Sequence, residues 1–200
     1  LNLVLGDLSG VSLLNHGGTL SALGHAALDI DASGAIHNGV YNGVINIHNG
    51  FNSDVNNDVN NNVDNGAHQR QPGGAITAAG SLLLKAQRIN NAWGTFSAGT
   101  TLTSTTTQDT DNRHGKWIAN QALTLTASSI NNAYGLIQSA QEHIWLKTLL
   151  GNMNNSDGDI NAAQTITLHS LGLNNASGKI SGYNLLLDSH ALALNNRAGF

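Results

Sequence analysis

The sequence predicts an all-β protein: a parallel β-helix, or β-solenoid, of roughly 20-residue coils. Three observations predict it. A corner signature, Asn-x-x-Gly-x-apolar, recurs at steps near 20 residues. Short segments of alternating apolar and polar residues precede each copy. The chain is also rich in turn formers, with 28 Asn and 23 Gly in 200 residues against one Pro. Both tolerate φ > 0.

The signature reads NNAWGTF at 90–96, DNRHGKW at 111–117, NNAYGLI at 131–137, NNSDGDI at 154–160, NNASGKI at 174–180 and NNRAGF at 195–200. An earlier copy is NHGGTL at 15–20, and DASGAI at 31–36 and QPGGAI at 71–76 are degenerate. The Gly column is Gly18, Gly34, Gly74, Gly94, Gly115, Gly135, Gly158, Gly178 and Gly199, with one step of 40 read as a full unit plus a poorly matching one. Such steps are too short for helical-hairpin repeats of about 33 residues or more.

Leu123-Thr-Leu125-Thr-Ala127 and Ile166-Thr-Leu168 alternate as half-buried strands do. The segment after each Gly is short, alternating and rich in Gly, Ser and Ala. That excludes the helical return of a leucine-rich repeat and leaves strand, turn, strand, turn. Coils then stack at about 4.8 Å, each residue above its counterpart. The columns Asn91, Asn112, Asn132, Asn155 and Asn175 form a hydrogen-bonded corner ladder. Gly94, Gly115, Gly135, Gly158 and Gly178 take a left-handed corner. Leu20, Ile36, Ile76, Phe96, Trp117, Ile137, Ile160 and Ile180 point inward. Nine Gly corners imply a rod of roughly 43 Å.

Three segments are expected: irregular coils over 1–50, an Asn-rich insertion loop over 51–72, and regular repeats over 73–200. The chain opens on Leu with no signal segment, and is expected to be an internal piece of a longer one. Eight Lys+Arg against twelve Asp+Glu give a net charge of −4, which argues against a nucleic-acid partner. No run of 18 apolar residues exists, so no membrane insertion is expected. The absence of Cys excludes disulfides and cysteine-based metal or redox chemistry.

The units SLLLKAQRINNAWGTFSAGT (81–100) and LTLTASSINNAYGLIQSAQE (123–142) resemble the repeats of filamentous haemagglutinins and related large exoproteins of two-partner secretion, which include contact-dependent inhibition effectors. The resemblance covers about 80–200 well, 1–50 loosely, and 51–70 not at all. It implies a right-handed β-helix in a secreted filament at the bacterial surface. The implied role is structural, a shaft that supports adhesion or displays a distal effector. The implied partners are an outer-membrane transporter, engaged through a domain outside this segment, and a receptor or glycan on a host or neighbouring cell.

Four places are candidates for more than structure. Trp93, His114 and Tyr134 hold one corner position on successive coils and should stack along an edge, either as a stabilising ladder or as a surface for sugar rings. Trp145, between inward Ile144 and Leu146, should face out. The 51–70 loop carries Asp54, Asp58 and Asp64. It opens like a calcium loop, but Val59 and Asn65 stand where that pattern needs Gly and Glu. Asp109, Asp111, Arg113 and His114 are the best acid–base cluster, in a Thr-rich coil (100–115), and the site a polysaccharide-degrading enzyme would need. Polar turns gather such residues routinely, so no enzyme activity is expected. None of the nine His has metal-ligand spacing, and no cofactor is expected.

Overall fold

The computed structural model describes residues 2–5, 11–39, 73–189 and 194–199. They form a parallel β-solenoid with three faces. Each coil contributes one strand to each of three sheets, and every strand pairs in parallel with its counterparts in the adjacent coils. Sheet A has eight strands, among them Leu28–Ala32, Leu82–Ala86, Leu102–Thr106, Leu123–Ala127, Ile144–Thr148, Thr165–Ser170 and Asn184–Ser189. Sheet B has eight shorter ones, such as Ile89–Asn90 and Ile130–Asn131. Sheet C has seven, including Thr95–Ala98, Lys116–Ala119 and Leu136–Ser139. The described residues contain no helix long and apolar enough to cross a membrane.

Alternation sets the strands, and register turns alternation into columns. Leu82, Leu102, Leu123, Ile144 and Ile166 align on sheet A and are fully buried. So do Ile76, Phe96, Trp117, Ile137 and Ile160 on sheet C. The columns meet in one axial core. No coil buries its own face, so each draws its stability from its neighbours. Where Ala32, Ala86 and Ala127 give way to Thr148 or Ser170, the hydroxyl donates to a carbonyl of the next corner, at 2.6 Å to Gly151 and 3.1 Å to Gly172. A polar atom thereby enters the core edge without being left unpaired.

The Thr-rich coil differs from the others. Ser104, Thr106 and Thr110 stand where other coils bury Leu, Ala and Ile. Trp117, in the same coil, is 0% exposed and packs on Phe96 with ring centroids 4.6 Å apart. The large ring restores volume that the small side chains give up, as a close-packed core requires.

The structure corrects two expectations about the early coils. Ile36 is buried, but it aligns with Ile89 in sheet B rather than with Ile76. Gly34 therefore sits at a different corner from the Gly column. The coil after Gly18 turns instead at Asn38-Gly39 and Gly73-Gly74. A Cβ on Gly39 would meet Ala92, and one on Gly73 would meet Trp93 and Gly94, so the four residues lie directly over Asn91-Ala92-Trp93-Gly94. The chain leaves this corner after Gly39 and is back in it at Gly73. The step of 40 is thus no extra unit. Eight stacked strands make seven spacings, about 34 Å of axis rather than 43 Å. The expected 51–72 insertion lies outside the described residues.

Candidate functional site

The Asn pair at each corner divides two tasks. The first Asn closes an Asx turn: Asn90 Oδ1 accepts the Ala92 N–H at 3.0 Å, and Asn131, Asn154 and Asn174 repeat the contact two residues on. Its amide also donates one coil back, from Asn154 to Asn131 at 3.2 Å and from Asn174 to Asn154 at 3.1 Å. The second Asn is buried and donates one coil forward. Asn91 to Asn112, Asn112 to Asn132, Asn132 to Asn155 and Asn155 to Asn175 are each 2.7 Å. Asn15, Asn38 and Asn196 extend this inner ladder at both ends. Each inner amide nitrogen also faces backbone carbonyls, as Asn112 does those of Gly115 and Leu136. Those carbonyls fix which end of the amide is the donor.

The corner glycines are not the left-handed residues. Positive φ falls one position earlier, at Trp93 (65°), His114 (55°), Tyr134 (57°), Asp157 (53°) and Ser177 (54°). Glycine follows because the backbone passes against the previous coil. A Cβ on Gly115 would collide with the Asn91 carbonyl and lie 2.5 Å from Asn112 Oδ1. Close approach, not conformational freedom, sets the Gly column.

Trp93, His114 and Tyr134 stack as one pile. Trp93 and His114 are 4.1 Å apart and tilted 15°, and His114 and Tyr134 are 4.9 Å apart and tilted 7°. His114 is covered on both faces. Trp93 and Tyr134 remain 46% and 59% exposed. Within the pile the facing ring surfaces cover one another.

The four residues of the acid–base cluster each have a local contact. The Arg113 guanidinium sits on Asp111 at 2.9 Å, and the Arg113 N–H donates to the same carboxylate at 3.0 Å. Ser129 Oγ donates to Asp109 at 2.9 Å, and His114 lies inside the pile. Among the described residues no group of three or more His, Cys, Asp or Glu could hold a metal ion. Asp54, Asp58 and Asp64 lie outside the described residues.

At the other end of the described stack, His37 lies in register with Asn90, and its ring is 6.3 Å from that of His16. Burial, then the neighbouring His16 and Arg88, holds His37 below the ordinary histidine pKa. Burial lowers His16 as well.

Trp145 is 52% exposed on the outer face of sheet A, in one row with Thr124, Thr167 and Leu186. The next row brings together Thr126, Lys147, His169 and Asp188, with His169 Nδ1 2.9 Å from Asp188. Trp145, Thr167 and Leu186 of the first row, Lys147, His169 and Asp188 of the second, and Leu187 between them on the last described strand of sheet A line a groove of about 370 Å³. Sequence reading picked out Trp145 but missed Lys147, His169 and Asp188. Lys147 follows Trp145 by two residues on the same strand, where alternation would have found it. His169 and Asp188 come from later strands, and only aligning strand positions coil by coil would have found them.

Over 62 residues, 31% of its length, the chain is 42% identical to a protein named tRNA nuclease CdiA from Escherichia coli O6:K15:H31 (strain 536 / UPEC). Over the same length it is 40% identical to one named Toxin CdiA from Escherichia coli. The match spans 2% of each of those proteins. No family model and no solved structure matches the chain.

Proposed function

We propose that this chain is a non-catalytic shaft segment of a secreted bacterial surface exoprotein related to the CdiA toxins, and that it holds a distal adhesive or effector element away from the cell. The observation that carries this reading is the unbroken inner Asn ladder running with three parallel sheets through the described coils. Such a stack is a rigid spacer whose surface chemistry need not be specific. The partial likeness to two CdiA proteins supports a relation to contact-dependent inhibition exoproteins. Export by a two-partner-secretion transporter and a receptor on a neighbouring or host cell are further parts of the proposal.

The test is a coil deletion in the parent exoprotein. Removing residues 95–115 joins Gly94 to Lys116 and preserves register. Removing half that length does not. A shaft keeps secretion, surface display and distal activity after the first deletion and loses display after the second. Loss of target-cell binding after the in-register deletion, with display intact, would refute the shaft reading.

A second reading rests on the corner where the chain leaves at Gly39 and returns at Gly73, over Ala92 and Trp93. An excursion rooted beside the aromatic edge is suited to receptor contact. Replacing 51–70 with a short Gly-Ser link should then reduce cell binding with secretion unchanged. Unaltered binding would sink this second reading and leave the first standing.

A further inference from the structure

We propose that the groove beside Trp145 is a binding subsite for a carboxylate-bearing pyranose, a uronic or sialic acid residue of a surface glycan. The inference goes beyond the shaft reading and stands or falls separately from it.

The row of Trp145 is otherwise made of short or aliphatic side chains. Thr124 and Thr167 flank the indole, and Trp145 stacks on no other ring among the described residues. This is the opposite of the Trp93 edge, where ring faces cover one another. Leu186, also exposed, forms a second wall two strand spacings away, about 9.6 Å, with Thr167 as the floor between. The groove volume lies at the small end of roughly 300–1,000 Å³ for ligand sites. All the lining positions are on strands, so the walls are held by the sheet rather than by loops.

The second row supplies charge. No carboxylate lies within ion-pair distance of Lys147 among the described residues, whereas Lys85 lies against Asp31 and Arg113 against Asp111. The nearest acid in the row, Asp188, is engaged by His169. A flat π face and an uncompensated ammonium on adjacent rows make a mixed demand. A pyranose presents its polarised C–H groups to the indole face. Its carboxylate accepts from Lys147 Nζ. Its hydroxyls find partners at the His169–Asp188 end. A bare phosphate or sulfate would use the cation and leave the indole idle. An apolar peptide would use the indole and leave the cation idle. The site is open and the chain carries a net −4, so binding should be weak, with Kd on the order of 1 mM.

The test uses the full chain, titrated with 3′-sialyllactose, a glucuronate-bearing hyaluronan tetrasaccharide, and neutral lactose, followed by saturation-transfer NMR. The repeat itself supplies the substitutions: Trp145→Thr and Lys147→Thr each install the residue of an adjacent coil, so the fold should persist in circular dichroism. Trp93→Ala is the control for the other exposed indole. The expected result is binding of an acidic probe that weakens at least about tenfold in Trp145→Thr. Lys147→Thr should cost about threefold to fivefold, and Trp93→Ala should change nothing. The proposal is overturned by no binding of either acidic probe at about ten times the expected Kd, by binding that survives Trp145→Thr, or by lactose binding as tightly as the acidic sugars.

Discussion

At the residue scale, the two Asn of a corner look alike in sequence and are unequal in structure. Asn132 is buried, accepts from Asn112, and donates to Asn155 and to the Gly135 carbonyl. Asn132→Ala would strand Asn112 and Asn155, and should cost about 2–4 kcal/mol in urea unfolding. Asn131→Ala loses an Asx turn and a half-exposed amide contact, about 1 kcal/mol. Equal costs would mean the inner ladder does not carry the corner. Tyr134 and Gly135, two and three positions after Asn132, give a sharper contrast. Tyr134 bears the positive φ and a stacked ring, so Tyr134→Ala loses the stack without relieving the backbone. Tyr134→Gly relieves about 1 kcal/mol of left-handed strain, so it should be the milder change, the reverse of the order in an ordinary strand. Gly135→Ala should be far worse than either, because its Cβ meets the Asn112 carbonyl. The columns were legible in the sequence because stacking repeats a residue once per coil. The reason for the Gly column was not: close approach and positive φ both select glycine, and only the backbone path separates them.

At the scale of the strand and the coil, inward and outward positions should respond very differently to charge. Ile137 is fully buried between Trp117 and Ile160, and Thr124 is on the outer face. Ile137→Asp buries a carboxylate without a partner and should cost more than about 4 kcal/mol, whereas Thr124→Asp should cost under about 1. Chemical denaturation of the two variants checks this, and similar midpoints would refute the assigned faces. The coil bearing His37 should also be sensitive to acid. Its folded pKa lies below its unfolded value, so the unfolded chain binds the proton more readily. Stability is therefore full above the unfolded pKa, about 6.5, and declines as pH falls from there toward the folded value. Amide protection factors over 28–37, corrected for the intrinsic pH dependence of exchange, should be lower at pH 5 than at pH 7.5. His37→Asn installs the residue of the matching position, Asn90, and should flatten that dependence. The later strands were readable because their alternation is regular. The early ones misled because Asp31-Ala-Ser-Gly34-Ala-Ile36 imitates a corner it does not occupy, and only pairing with 89–90 reveals its register.

At the scale of the whole molecule, three sheets, one core and two amide files follow from a single repeated unit, so fold class was the most legible property of the sequence. Length was less so, since counting glycines took in Gly34, which belongs to a different corner of its coil. Surface chemistry was the least legible. Alternation within Ile144–Thr148 puts Lys147 on the face of Trp145, but Thr167 and His169 join them from a strand about 20 residues further on, and no local pattern predicts that. Nearest-neighbour stacking also predicts how stability is distributed: interior coils should exchange their amides more slowly than coils near the ends of the described stack.

The hydrogen bonds between coils run along the rod, because each strand bonds to the one above and the one below. Tension applied between the two ends therefore meets these bonds one layer at a time rather than all together. Under pull the rod should pay out a coil at each step, about 70 Å of extended chain for 20 residues, and wind back when slack. In the proposed shaft role, a rod built this way would be stiff against bending yet yield under sudden traction, sparing an element held beyond it.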